Sequence, residues 1–490
     1  MTVEYDLIVI GGSTAAIYAA VAAAHLNARV ALVEPQQVQT NWLGHGAIYA
    51  QTLTQVGHVV QQLRDASQLG IYFQSADPTQ QRQDPVVQLT EAIEWAKAVV
   101  YTCSEQRSPA ILASLGVDVI AGVGEFGRRP HLGFVVNNRR LRSRAYLIAT
   151  GSRPVVPDIE GLNSLGYLTP ADFWQPDFSQ RVQGSWVVIG GSPMSVQLAQ
   201  TLARLNCEVT LVVSDTSLLP NEDPEASRLV QAQLEAEGVH VFTESPVTQV
   251  REIEGKKWIQ AGNYAIEADE VLLAVGQQLN IELLNLEGVG VKFHPQGLAL
   301  NEKLQTTNSR IYACGDVAGG YQSAHIAEYE ASIALKNALF APLFKVDYRG
   351  IPSAVFCDPQ LARVGLTEAQ ARTRYGKDVF VVRHYFKTLD KAQLLGETTG
   401  FCKIVGRQNG EILGASIVGP EASEIIGAIA LAIRQRIKVS AIANLPPISP
   451  TLSEILNKTA LEWQQQRFSR NNTLHNFLEG FFNLRRHWSS

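Results

Sequence analysis

Residues 6–35 read DLIVIGGSTAAIYAAVAAAHLNARVALVEP. An unbroken apolar run, a glycine turn, an alanine-rich helical stretch and a second apolar run closing on an acid spell one βαβ unit. Residues 185–215, SWVVIGGSPMSVQLAQTLARLNCEVTLVVSD, repeat the plan with the same GGS turn. The chain therefore carries an internal repeat of two Rossmann-like nucleotide-binding units. From about Gly350 strand-like stretches (AVFCDP, VFVVRHYF, GFCKIVGR, EILGASIVG) precede the helix-forming SEIIGAIALAIRQR, the pattern of an α+β domain. Boundaries are expected near 153, 275 and 345, with an amphipathic tail after 465.

Composition sets the class. The 490 residues are 46% hydrophobic and 18% charged, ordinary for a globular protein of several domains. A net charge of −5 provides no field for nucleic acid, so no nucleic-acid partner is expected. The five cysteines (Cys103, Cys207, Cys314, Cys357, Cys402) show neither CxxC nor Cys/His spacing, so no metal site is expected and they read as buried thiols of a reducing compartment. The first strand begins at the amino terminus and no apolar run reaches membrane-spanning length, which places the protein in the cytoplasm by expectation.

The two glycine turns differ in chemistry. In GxGxxG the first glycine makes the turn, the second admits the pyrophosphate, the third packs helix on strand, and an acid about 20 residues on holds a ribose hydroxyl. The first unit has Gly11, Ser13 and Ala16, with Glu34 as the acid; the second has Gly190, Ser192 and Ser195, with Val213 at the acid's position. Ser13 and Ser192 are expected to crowd a pyrophosphate. One unit keeps its ribose carboxylate and the other lacks it.

Three further segments, LIATGSRP (147–154), LLAVGQQLN (272–280) and TTNSRIYACGDVAGG (306–320), complete a pattern. With them the chain resembles the pyridine nucleotide-disulfide oxidoreductases, the flavoproteins that include glutathione reductase, dihydrolipoamide dehydrogenase and mercuric reductase. SDTSLLPNEDPEA and AHIAEYEASIA look most like the mercuric-reductase branch. The resemblance implies two Rossmann-like domains and an α+β dimerisation domain: an FAD domain over 1–153, an NAD(P)-type domain over 154–275, a return to the FAD domain over 276–345, and a homodimer interface over 346–465. It implies FAD bound by Gly11, Gly12, Ser13, Thr14, Ala15, Glu34, Asn41, Trp42, Gly46, Gly124, Ala149, Thr150, Gly151, Gly315, Asp316, Ala324 and His325, with Asp316 on the ribityl chain. NAD(P)H is expected to bind weakly or not at all.

The family's redox loop, GGTCxNxGCxPxK, falls on NWLGHGAIY (41–49). Aligned on Gly46, Trp42 and Ala47 occupy the two cysteine positions and Tyr49 that of the proline. Neither Trp nor Ala can form a thiolate, so dithiol exchange is excluded here. The lysine that follows in the family is replaced at Ala50 and Gln51, and its glutamate partner by Gln197. Near the carboxyl terminus the family's HxHPTxSE becomes PISPTLSE (447–454). Pro447 and Ser449 hold the acid–base histidine positions while Glu454 persists. No catalytic residue is assigned; Trp42, Ala47, Ser449 and Glu454 are vestigial positions, and His45 is a candidate that could donate to the flavin or a ligand.

Two functions stay open. One is an FAD oxidoreductase without dithiol chemistry, whose electron donor and acceptor, small molecule or protein, are not legible. The other is a pseudoenzyme with structural or sensory FAD, the dimer serving as a binding module. In the tail TLHNFLEGFFNLRRHWSS, Leu474, Phe477, Leu478, Phe481 and Trp488 fall at helical spacing. Packing on the dimer or the chain's own body is favoured over contact with a membrane surface.

Overall fold

Strand β1 (Tyr5–Ile10) is apolar throughout because it lies between two parallel neighbours, β2 (Val30–Glu34) and β7 (Ser143–Ile148), with Leu7 opposite Val30 and Ala145. The computed structural model describes residues 3–34, 47–72, 85–105, 107–174, 178, 184–469 and 472–487. Asn41, Trp42, His45, Gly46 and Trp488 lie outside the described residues. Helix α1 (Thr14–His25) joins β1 to β2. Its alanines 15, 16, 19, 20 and 23 are at most 1% exposed, so the helix axis comes close to the sheet. A larger side chain there would cost about 1–3 kcal/mol in overpacking. Asn27 stops the helix in the left-handed region (φ 58°). Helix α2 (Ala47–Asp65) and strand β3 (Val117–Ala121) come next, then a three-stranded antiparallel meander of β4 (Gly124–Gly127), β5 (Gly133–Val136) and β6 (Arg139–Leu141).

The second unit repeats this plan. Strand β8 (Ser185–Ile189) leads through helix α3 (Pro193–Arg204) to β9 (Glu208–Val212), paired in parallel. A second antiparallel meander, β10 (Val247–Ile253), β11 (Lys256–Ala261) and β12 (Tyr264–Ala268), precedes β13 (Glu270–Leu273), which returns beside β8. Strand β14 (Ile311–Ala313) then completes the first sheet, ordered β14-β7-β1-β2-β3, and helix α5 (Ala324–Leu339) packs against α1. These elements belong to one compact unit formed by residues 1–65, 73–214 and 244–347.

The other unit holds 66–72, 215–243 and 348–490. Its five-stranded sheet runs β15 (Pro352–Val355), β16 (Gln360–Gly365), β19 (Ile412–Gly419), β18 (Phe401–Arg407) and β17 (Val379–Tyr385), all antiparallel. Helices α6 (Ala422–Arg434) and α7 (Glu454–Ser469) bury Ile426, Ile429, Ile455 and Trp463 in its core. Helix α4 (Pro224–Ala236), capped by Asp223, packs in this unit too. The Lys403 ammonium, 4% exposed, sits between the carboxylates of Asp223 at 3.0 Å and Glu368 at 2.9 Å. The tail forms helix α8 (Asn472–His487).

Candidate functional site

The carboxyl ends of β1, β2, β7 and β14 meet at one edge, where an open parallel sheet receives a nucleotide. Gly11 has φ +124°, and a Cβ there would stand 2.2 Å from the Ala149 carbonyl oxygen, so no other residue fits. A Cβ on Gly12 would lie 2.5 Å from Glu34 Oε1, so the bare backbone lets the carboxylate lie against the turn. The Glu34 carboxylate makes no hydrogen bond among the described residues, and burial pushes its pKa above the usual range. Thr150 Oγ1 is buried and has no partner among the described residues. Helix α1 opens here with the Thr14 and Ala15 N–H groups ahead of its first backbone bond, a ready anion site.

Asp316 stands on the turn after β14, where Gly315 adopts φ +74° and donates its N–H to Glu330 Oε2 at 2.7 Å. Ser152 Oγ donates to Asp316 Oδ2 at 2.6 Å, while burial raises the Asp316 carboxyl. Sequence reasoning missed both supporting residues. Ser152 directly follows the ATG of LIATGSRP, and Glu330 is an acid at 1% exposure on the buried face of its helix. Gly151 adopts φ +67°. Gly124 is required by packing, since a Cβ would stand 2.4 Å from the Val135 carbonyl. Ala324 and His325 are exposed at the start of α5, with His325 Nδ1 2.8 Å from Ser323 Oγ.

The hydroxyls of the two serines are engaged by the protein itself. Ser13 turns its hydroxyl away from the approach: it donates to the Ala149 carbonyl at 2.7 Å and accepts from Ala16 N at 3.2 Å, capping α1. Ser192 does the same in the second unit, donating to Ala274 O at 2.8 Å and accepting from Ser195 N at 3.2 Å. Gly190 matches Gly11, with φ +132° and a Cβ position 2.5 Å from Ala274 O. The backbones of Glu34 and Val213 also match: each carbonyl accepts from a later N–H, Gly122 at 2.8 Å and Ser245 at 2.9 Å. What separates the two turns is therefore the acid, together with Pro193 at the first position of α3, which supplies no N–H where Thr14 does.

Helix α2 begins at Ala47, and Tyr49 is fully buried, its phenol pushed upward by burial. Gln197, at the position of the family's glutamate, belongs to a neutral network. Gln197 Nε2 donates to Thr54 Oγ1 at 3.0 Å, and Thr54 meets Thr201 Oγ1 at 2.9 Å, joining α2 to α3. In the other unit Glu454 Oε1 accepts from Thr451 N at 2.9 Å, so this carboxylate now caps its own helix, and Ser449 is exposed. None of the five cysteines is in a disulfide and four are buried, with Cys207 and Cys402 pushed up to about 12 by burial. Such thiols are poor nucleophiles.

The model of the pyridine nucleotide-disulphide oxidoreductases matches residues 5–331, and that of their dimerisation domain matches residues 351–460. The chain belongs to this family. It is a family of FAD-dependent flavoproteins, and the dimerisation domain indicates a homodimer. Among relatives, a mercuric reductase of Staphylococcus aureus is 32% identical over 470 residues, covering 94% of this chain and 83% of its own length. A dihydrolipoyl dehydrogenase of Bacillus subtilis is 30% identical over 467 residues, covering 93% and 98%. In fold the chain is similar to LpdA from Mycobacterium tuberculosis (TM-score 0.82, 24% identity, 93% of this chain and 99% of that one). It is likewise similar to the HOCl-induced flavoprotein disulfide reductase RclA from Escherichia coli (TM-score 0.78, 24% identity, 93% and 99%). Among the described residues no helix is long and apolar enough to cross a membrane.

Proposed function

We propose that this family member is an FAD-binding oxidoreductase that works without a redox disulfide or a histidine acid–base and binds NAD(P)H weakly or not at all. The observation that carries the reading is the set of unsatisfied polar groups at one sheet edge: the Glu34 carboxylate and Thr150 Oγ1, beside the free N–H groups of α1. Buried polar groups are seldom left unpaired, and a flavin dinucleotide would complete these. Glu34 would accept from ribose hydroxyls, the N–H groups of Thr14 and Ala15 would donate to the pyrophosphate, and Asp316, fixed by Ser152, would accept from the ribityl chain. When bound, the flavin supplies two-electron transfer between a donor and an acceptor. The chain's own contribution is to orient it.

Trp42 and Ala47 at the cysteine positions, with Pro447 and Ser449 at the histidine positions, remove the two groups that thiol exchange needs. The domain division at 153, 275 and 345 is part of the same proposal. Val213 and Pro193 favour a second reading, in which the flavin is structural or sensory. Steady-state turnover discriminates: reduction of artificial one-electron acceptors without reduction of glutathione disulfide or lipoamide supports the oxidoreductase. Absence of turnover with every donor, in a yellow protein, supports the second reading. Turnover of a disulfide substrate that survives replacement of all five cysteines contradicts both.

A further inference from the structure

We propose that helix α8 is covered by a second copy of this chain, so that the tail extends the homodimer interface beyond the dimerisation domain; this rests on the homodimeric reading. The dimerisation model ends at residue 460, inside α7, whose inner face is buried in the domain core. Helix α8 follows after a short connection, and its ring contact back to α7 is Phe468 with His475 at 4.6 Å.

Phe477, Phe481 and Leu484 fall on one face at i, i+4 and i+7. They are 66%, 48% and 57% exposed, so the described residues leave them uncovered. A 16-residue helix is marginal in water by itself. The open aromatic face is the surface a partner would cover. Anionic lipid is a poor match, because the described helix sets Glu479 against Arg485 and Arg486, short of the four to eight basic residues that hold a segment on such a surface. A second copy matches better. The tail is continuous with the domain that pairs copies, and the same unit leaves Leu445 and Ile448 exposed at 67% and 80%.

The test compares three proteins by mass photometry and sedimentation from micromolar to nanomolar concentration: the full chain, the chain ending at Ser469, and the full chain carrying Phe477→Ser and Phe481→Ser. Circular dichroism and flavin content report that each is folded. The expected result is dimers for all three at micromolar concentration, with both altered chains dissociating at 30-fold or more higher concentration than the full chain. Coincident dissociation curves overturn the proposal while leaving the dimer intact. Tail-dependent binding to phosphatidylcholine vesicles with one-third phosphatidylglycerol, at an unchanged dimer constant, overturns it in favour of a membrane. A full chain that is monomeric throughout removes the homodimeric reading itself.

Discussion

Replacing Glu34 should move affinity and stability in opposite directions. Its carboxylate lies against Gly12 and has no hydrogen-bond partner among the described residues, and burial raises its pKa. An acid whose folded pKa is raised binds its proton more readily folded than unfolded. Its charge therefore costs stability above that pKa, and the apoprotein gains stability as pH falls through it. The flavin-bound form needs the ionised carboxylate as acceptor, so FAD retention should weaken over the same range, with a midpoint above the ordinary 4.5 of a glutamate. Glu34→Ala removes a charge-assisted hydrogen bond of about 1.5–3 kcal/mol, roughly a 10- to 150-fold loss of FAD affinity. Glu34→Gln keeps the shape and a neutral acceptor, so its loss should be about tenfold, or about 1.4 kcal/mol. The same Gln apoprotein should be more stable than wild type by about 1 kcal/mol, because a half-buried charge without a hydrogen-bond partner among the described residues is gone. Fluorescence titration of apoprotein with FAD, and melting with and without FAD, read both quantities. An unchanged FAD affinity together with an apoprotein no more stable would refute the assignment.

Ser13→Ala should lower stability by about 1 kcal/mol through loss of the α1 cap, leaving FAD affinity within a few-fold; a marked gain in affinity would restore the idea that this side chain crowds the pyrophosphate. In stopped flow, wild-type flavin should bleach over minutes with sub-millimolar NADH or NADPH, whereas Val213→Glu, which recreates the acid of the first unit, should tighten NADH binding about 10- to 100-fold. Bleaching of the wild type within milliseconds would show that the second turn works as it stands. Lys403→Met should destabilise the protein by about 3–5 kcal/mol in urea, since it strands Asp223 and Glu368 beside a buried position; a loss under 1 kcal/mol would mean the carboxylates are solvated.

The βαβ repeat was legible because it rests on periodicity, glycine turns and strand length, all local properties. Glu34 against Val213 was legible for the same reason, as a fixed offset from a glycine. The direction of the Ser13 and Ser192 hydroxyls was not. It depends on the Ala149 and Ala274 carbonyls, which reach the turns from strands 136 and 82 residues further along the chain. The Gln197–Thr54–Thr201 network joins helices 143 and 147 residues apart, so the sequence showed only that the charged pair was missing. Helix α4 follows the second βαβ unit in the chain yet groups with the carboxyl-terminal unit, where Lys403 holds its cap. No local pattern announces that pairing. The tail's helix was read from its apolar spacing, but its exposure shows only in three dimensions.

This family member is proposed to keep FAD and to have no redox disulfide. Anaerobic reductive titration tests it by counting electrons. A flavin accepts two electrons and a disulfide coupled to it accepts two more, so the account predicts that stoichiometric dithionite fully bleaches the flavin at two electrons per subunit, with no new thiols detected afterwards. Uptake of four electrons per subunit, with two thiols appearing as the flavin reduces, would contradict it.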